Sequence, residues 1–588
     1  MRSYQLIPTK RKTTLIYVFL VLIILLSFRY VDLQILNFGK YQDRANANSI
    51  RQIILNAPRG IIFDRKGIPL VENRPTYDLM LIPVDVTDHF DYDLLSKKTD
   101  IPPAELQRVV DEGKRSINRF RPKLIKRHIN FEVMSNLEEH KLSLPGIIFT
   151  ENPARTYVSD CNLSHTLGYL RIVSENVLRQ APLNLNYTLD DVYGAAGMEK
   201  TYEPLLRGNN GLEYHRVDIY SRDHGVVRDE DRYPPISGQS LQITIDSKLQ
   251  AYVESRISGH RGAVIVMDPT TGEILVFTSS PDYSLNTFVG PIPSELWNSL
   301  NKSPDRPLVN RGSNGLYPPG STFKLIAASL IMESDLINPY YNVQCNGSYT
   351  LGDRVFRCWN TAGHGQVNLK TAIKYSCNIY FYRAIQGLIF SEWSDMASRY
   401  GFGKKTGIDL PYEAEGIIPT EAYLNEKYTR RGWSIGNLLS FVIGQGDVLA
   451  TPLQVIQMVN LISTNGHTYQ PHLNIFAEKV PLNLQLKLKT WTFLQDAMFD
   501  VVNAPDGTGK NAKIQTNGTV RGKTGTSQNP HGDPHSSFLG YLTTSEGDTF
   551  TLYVLIENGG KGSGIAASIA KDIFTYLDAT HTTIAVND

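Results

Sequence analysis

A single uncharged apolar run, Thr13 to Phe28, follows Arg2, Lys10, Arg11 and Lys12 and decides where the rest of the chain must fold. The run is shorter than the roughly 20 residues that span a bilayer, but apolar character continues past Arg29 to Leu36, and Arg29 can snorkel to the interface. A cleaved signal peptide is the competing reading. Its small-x-small signal, Ala45-Asn46-Ala47, lies too far beyond the run for ordinary cleavage. The expectation is an uncleaved transmembrane helix over residues 13–36 behind a cytoplasmic tail of residues 1–12, oriented by the basic residues that precede it. No later stretch reads as a second span, so nearly all of the protein is expected beyond the membrane.

What remains is too long for one ordinary core: 588 residues imply at least two. A formal net charge of +1 speaks against a dedicated nucleic-acid binder. The basic cluster Lys114, Arg115, Arg119, Arg121, Lys123, Lys126 and Arg127 reads as a solvated helix face or a protein contact. Residues 57–67 (APRGIIFDRKG) predict strand, turn, strand, and residues from about 88 to 150 predict a small helical insert. GAAGMEK at 194–200 opens a helix that Gly208 stops. From Gly238 onward, strand-like LQITID, helical KLQAYVESRIS and the paired strands of GAVIVMDPTTGEILVFTS begin a second domain. It closes on TVRGKTGTS, SFLGYLTT and DTFTLYVLIEN strands and a C-terminal helix. The expected class is α/β (α+β), a mixed sheet flanked by helices over residues 231–588, preceded by an α+β domain over 37–230.

Three short motifs in that second domain carry chemistry. In Ser321-Thr322-Phe323-Lys324, serine and lysine three residues apart share a helix face, so an amine of lowered pKa can take the hydroxyl proton. Alone, S-x-x-K is common by chance. In Ser376-Cys377-Asn378, the hydroxyl can relay a proton and the amide can bind substrate backbone. In Lys523-Thr524-Gly525-Thr526, an edge strand can pair with an extended peptide, with glycine allowing close approach and lysine holding a carboxylate. The backbone N–H groups of Ser321 and Thr526 make a natural oxyanion pair. The three together, in this order, form the set known from penicillin-binding proteins and class A β-lactamases.

On these motifs the chain resembles the class B penicillin-binding proteins, over nearly all of its length after the anchor. APRGIIFDRKG at 57–67 and GAAGMEKTYEPLLRG at 194–208 are similar to that family's non-catalytic pedestal. VMDPTTGEIL at 266–275, YPPGSTFK at 317–324, IGQGDVLATPLQ at 443–454 and KTGTS at 523–527 are similar to its transpeptidase domain. YPPGSTFK and CWNTAGHG at 358–365 look most like the elongation-type members. The resemblance implies that Ser321 attacks the D-Ala–D-Ala bond of a peptidoglycan stem peptide, releases D-alanine and passes the acyl group to an amine on a neighbouring strand. It also implies acylation by β-lactam antibiotics, and contact with the SEDS-family glycosyltransferase and other rod-complex proteins.

Two rival functions remain to be weighed. A β-lactamase would need a deacylating base, and Glu421-Ala422-Tyr423-Leu424-Asn425 has the Glu-x-x-Leu-Asn pattern; three fixed letters in five are cheap in a chain this long. A non-catalytic scaffold would not need three complete motifs. A second chemistry is suggested by Cys345, Cys358, His364 and Cys377, three of the four cysteines within 33 residues. Structural zinc, a disulfide between two of the three, and buried free thiols are the open readings. The resemblance adds that some elongation-type members bind zinc here with mixed Asp, Cys and His ligands. His531, Asp533 and His535 form another ligand-like cluster, read here as a loop entering the next strand.

Overall fold

The computed structural model describes residues 9–39 and 50–584, apart from 117–118, 181, 183–184, 186, 190, 219–222, 228–231, 291, 335, 430–431 and 530–531. Helix α1 (Thr9–Val31) runs on as a wider turn through Asp32–Leu36. Residues 11–36 are long and apolar enough to cross a membrane and are exposed along their length. Arg29, expected to snorkel, pairs with Asp32 one turn on at 2.5 Å, so the charge that interrupts the run is answered within the helix.

The rest divides into two compact units that do not follow chain order. One takes residues up to 58, 74–154 and 208–238; the other takes 59–73, 155–207 and 239–588. In the first unit, Ile50–Leu55, Gly211–Val217 and Asp223–Val226 form an antiparallel sheet. The insert expected to be helical is α+β. Helices Tyr92–Thr99, Pro103–Arg115 and Phe131–Glu139 share a core of Leu79, Leu95, Leu106, Val110 and Leu137 with strand Lys123–Ile129. The basic residues Lys123, Lys126 and Arg127 thus lie on a strand, not a helix face; β-branched Ile125 and Ile129 favour that state, and Ile129 is buried.

The second unit is built on five strands: β1 (Gly262–Met267), β2 (Ile274–Ser280), β3 (Thr519–Ser527), β4 (His535–Thr543) and β5 (Thr549–Ile556), in the order β2-β1-β5-β4-β3. Every pairing in this sheet is antiparallel, since short loops join β1 to β2, β3 to β4 and β4 to β5. Mixed pairing occurs elsewhere in the unit, where Ile62–Phe63 pairs parallel with Leu241–Gln242 and antiparallel with Pro69–Val71. All six residues of β1 are buried, as a strand covered on both faces requires. The covers are α2 (Ser247–Ile257), α4 (Pro452–Ser463), α5 (Leu488–Asn503) and α6 (Ile565–Ile584), while α3 (Lys324–Glu333) packs on α5. Tyr252 of α2 stacks on Tyr576 of α6, while Asn460 of α4 accepts from Thr551 of β5. Strand β3 is left as an edge, so its backbone is available to another extended chain.

Segments 57–67 and 194–208 are joined by a buried ion network. Arg59 Nη2 meets Glu199 and Glu203 at 2.7 and 2.6 Å, and Arg155 Nε meets Glu199 at 2.7 Å. All four residues belong to the second unit, although the sequence assigns them to the preceding domain.

Candidate active site

Ser321 lies in a tight 3-10 turn, Gly320–Phe323, that leads straight into α3. Residues i and i+3 eclipse in such a turn, which sets Ser321 above Lys324. Two glycines admit the turn. Gly320 adopts φ +59°, and a Cβ there would stand 2.8 Å from Thr526 O of β3. Gly444 adopts φ +69°, its carbonyl accepts from Gly320 N at 2.8 Å, and a Cβ there would meet Gly320 O at 2.3 Å. Next to it, Gln445 Nε2 donates to Thr526 O at 3.2 Å. The segment IGQG therefore clamps the serine turn to the edge strand, a job the sequence did not reveal. Gly525 serves the same approach: a Cβ there would come 2.9 Å from Thr322 Cγ2.

Lys324 is fully buried, and its Nζ donates to Ser376 O at 2.7 Å, Ser376 Oγ at 3.2 Å and Asn378 Oδ1 at 2.7 Å. Burial pushes its pKa down to about 8, while negative charge on Cys377 and Cys358 pulls the other way. Ser376 holds its hydroxyl there from an unusual backbone, φ +54°, a conformation that costs a non-glycine residue about 1–3 kcal/mol. Such strain persists where surroundings over-determine it. Asn378, expected to face substrate, uses both ends of its amide inside the protein: Oδ1 on Lys324 and Nδ2 on Arg357 O at 3.2 Å.

Lys523 also departs from expectation. It is fully buried, with Nζ on Thr524 O at 3.1 Å, and burial followed by the charge of Lys324 lowers its pKa well below the ordinary lysine value. The charge of Lys324 thus disfavours protonation of the Lys523 amine. Thr524 is nearly buried and donates to Thr508 Oγ1 at 3.2 Å; Thr526 Oγ1 accepts from Gly562 N at 3.0 Å. Lys324 thus gathers Ser376, Asn378 and Lys523 around its amine, and the turn that carries Ser321 packs on Thr526, although these residues lie far apart in the chain. Glu421, by contrast, is exposed in the first turn of helix Glu421–Lys427 and makes no ion pair or hydrogen bond among the described residues.

The donor atoms of Cys345, Cys358, His364 and Cys377 lie within 4.8 Å of one another, the one such group among the described residues. His364 Nδ1 stands 3.6 Å from Cys345 Sγ and 3.5 Å from Cys358 Sγ. A tetrahedral zinc with bonds of about 2.0 Å to nitrogen and 2.3 Å to sulfur spaces its ligands roughly 3.5–3.8 Å apart, so the set fits. A hydrogen bond from Cys377 pulls the Cys358 pKa down strongly, with His364 and the Asn378 N–H also favouring the thiolate a metal requires. His364 is held between Tyr375 and Trp359, and Trp359 Nε1 donates to Tyr375 O at 2.9 Å. Of the other ligand-like cluster, His531 lies outside the described residues, and His535 Nδ1 accepts from Asn558 N at 3.1 Å.

Comparison with known proteins agrees with this geometry. The family model described as the penicillin binding protein transpeptidase domain matches residues 262–575, and that of the penicillin-binding protein dimerisation domain matches 54–243. The peptidoglycan D,D-transpeptidase MrdA of Haemophilus influenzae is 32% identical, covering 93% of this chain and 88% of its own length. MrdA of Salmonella typhimurium is 30% identical over 94% and 93%. Among solved structures, PBP2 of Helicobacter pylori in complex with MreC aligns with a TM-score of 0.77 at 29% identity, over 91% of this chain and all of that one. A chain of a peptidoglycan synthase complex that coordinates polymerization and crosslinking aligns at 0.71 and 27% identity, over 96% and 98%.

Proposed function

This chain belongs to the penicillin-binding protein family as a peptidoglycan D,D-transpeptidase of the PBP2 (MrdA) kind, and we propose that Ser321 is its nucleophile, Lys324 its general base and Ser376 its proton relay. The observation that carries the assignment is the buried amine of Lys324, set one 3-10 turn beyond Ser321 and bonded to Ser376 and Asn378. Neutral Lys324 takes the Ser321 proton as Oγ attacks the penultimate D-alanine carbonyl of a stem peptide lying along β3. The N–H groups of Ser321 and Thr526 receive the oxyanion. On collapse the C–N bond breaks, the proton passes through Ser376 to the leaving amine, and D-alanine departs. An amine from a neighbouring stem peptide then attacks the ester and restores Ser321. Thr526 Oγ1, which accepts from Gly562 N, gives its own proton to the substrate's terminal carboxylate, while Thr524 beside it gives its proton to Thr508. Lys523 packs beside Lys324, and Asn378 orients Lys324. β-Lactams acylate Ser321 as mimics of the dipeptide and inhibit the enzyme.

Cys345, Cys358, His364 and Cys377 would hold a structural zinc, with four protein ligands and no open position. Bound there, the metal would neutralise the thiolates and hold Cys377 in place. What this chain gains is a rigid Ser376 and Asn378 on either side of that ligand. The protein is anchored at the membrane and works among elongation-machinery proteins. Its finer placement is our reading: the basic N-terminus in the cytoplasm, both folded units in the periplasm, and α1 against a SEDS-family glycosyltransferase. The reading is tested by supplying pentapeptide-bearing glycan strands to the purified protein with its glycosyltransferase. Release of D-alanine with formation of cross-linked peptide dimers is expected, and both are lost in Ser321→Ala. Dimers formed by Ser321→Ala would refute it.

A further inference from the structure

The Ser376 turn is held from a side that none of the three motifs covers. Loop residues 504–509 follow α5, and Gly509 N donates to Val501 O at 2.8 Å, which fixes the loop to the end of that helix. From it, Asp506 accepts from Tyr375 Oη at 2.6 Å and from Lys374 Nζ at 3.0 Å. Thr508 makes the connection inward. Its hydroxyl donates to Lys374 O at 3.1 Å, two residues before Ser376, and accepts from Thr524 Oγ1 of the edge strand at 3.2 Å.

We infer that Thr508 is a positioning residue that links the substrate strand to the proton relay. A hydroxyl carries one proton. Because that of Thr508 is committed to the Lys374 carbonyl, Thr508 can only accept from Thr524, which fixes the direction of the Thr524 O–H. One side chain therefore ties the edge strand, through Thr524, to the strained turn that carries Ser376. Thr508 touches neither substrate nor Ser321 and acts through these two groups alone.

This inference rests on the roles proposed above for Thr524 and Ser376, and the test separates the two. Acylation by a β-lactam is followed in the full-length protein and resolved into an initial binding constant and a rate constant, per titrated active site. Thr508→Val is expected to slow the acylation step about tenfold, one hydrogen bond being lost at the Ser376 turn, with initial binding within about twofold of wild type. Thr508→Ser keeps the hydroxyl and is expected to stay within about twofold of wild type in both. A purely structural role would lower the number of active sites and leave both constants per site unchanged. Wild-type constants for Thr508→Val, or equal loss in Thr508→Ser, would each overturn the inference. Should Thr508→Val not fold, Thr508→Ala carries the same comparison with Thr508→Ser. Failure of the wild type to form any adduct would instead overturn the proposed function.

Discussion

Raising the pH is expected to accelerate acylation of Ser321, because the base is a buried lysine whose pKa lies near 8. With that pKa about 9% of Lys324 is neutral at pH ~7 and about 91% at pH ~9, so the rate constant rises roughly tenfold and then levels off. An exposed lysine would be neutral in only about 0.03% of molecules at pH ~7, some 300-fold less, which is the advantage that burial confers. The titratable groups that act on or feel the amine are Cys358, Cys377 and Lys523. The same shift has a consequence for stability. The folded-state pKa is lowered, so between about 8 and 10.5 the unfolded chain binds a proton that the folded chain has released. Lys324 therefore opposes folding fully below about pH 8, and that penalty fades as pH rises through the window. The assay is stopped-flow acylation by a β-lactam that does not ionise in this range, with Lys324→Arg as the permanently charged control. A rate that is flat or falling between about pH 7 and 9 would refute the assignment of Lys324 as base.

Two further outcomes follow from the supporting structure. Purified protein is expected to carry one zinc per chain, and Cys358→Ser to lose it and slow acylation by about tenfold, as measured by metal analysis and β-lactam kinetics on the same sample. Glu199→Gln leaves two buried guanidiniums facing a neutral amide in the Arg59–Glu199–Arg155 network, and is expected to cost about 3–5 kcal/mol in denaturant unfolding of the solubilised chain. A cost under about 1 kcal/mol would mean that water reaches the network.

The parts legible in the sequence were those whose chemistry is local. Thr13 to Leu36 is readable because span length depends on composition alone, and Ser321 and Lys324 because three residues of helix suffice to bring them together. The β3 edge, the hairpins and the Cys345–His364–Cys377 gathering also followed from short strings and scarce residue types. What escaped depends on contacts between distant segments. Nothing near Lys523 announces that its amine is buried behind Lys324, since β3 alternation leaves either face open until the sheet is covered. Ser376 has an ordinary neighbourhood in sequence, yet its left-handed backbone is enforced by Lys324 and the Lys374–Cys377 contacts. Arg59 and Glu199, 140 residues apart, are assigned by sequence to a preceding domain; their mutual burial ties them to the catalytic unit. The strand at Lys123–Ile129 was hidden by its basic residues, which mimic a solvated helix when the buried partner surface is unknown.

The central claim is the identity of the nucleophile, and intact-mass measurement after penicillin treatment tests it most directly. Wild-type protein is expected to gain the mass of one penicillin and to hold it through slow turnover, while Ser321→Ala gains nothing. An unmodified wild type would contradict the mechanism, and an adduct that persists in Ser321→Ala would contradict the choice of Ser321.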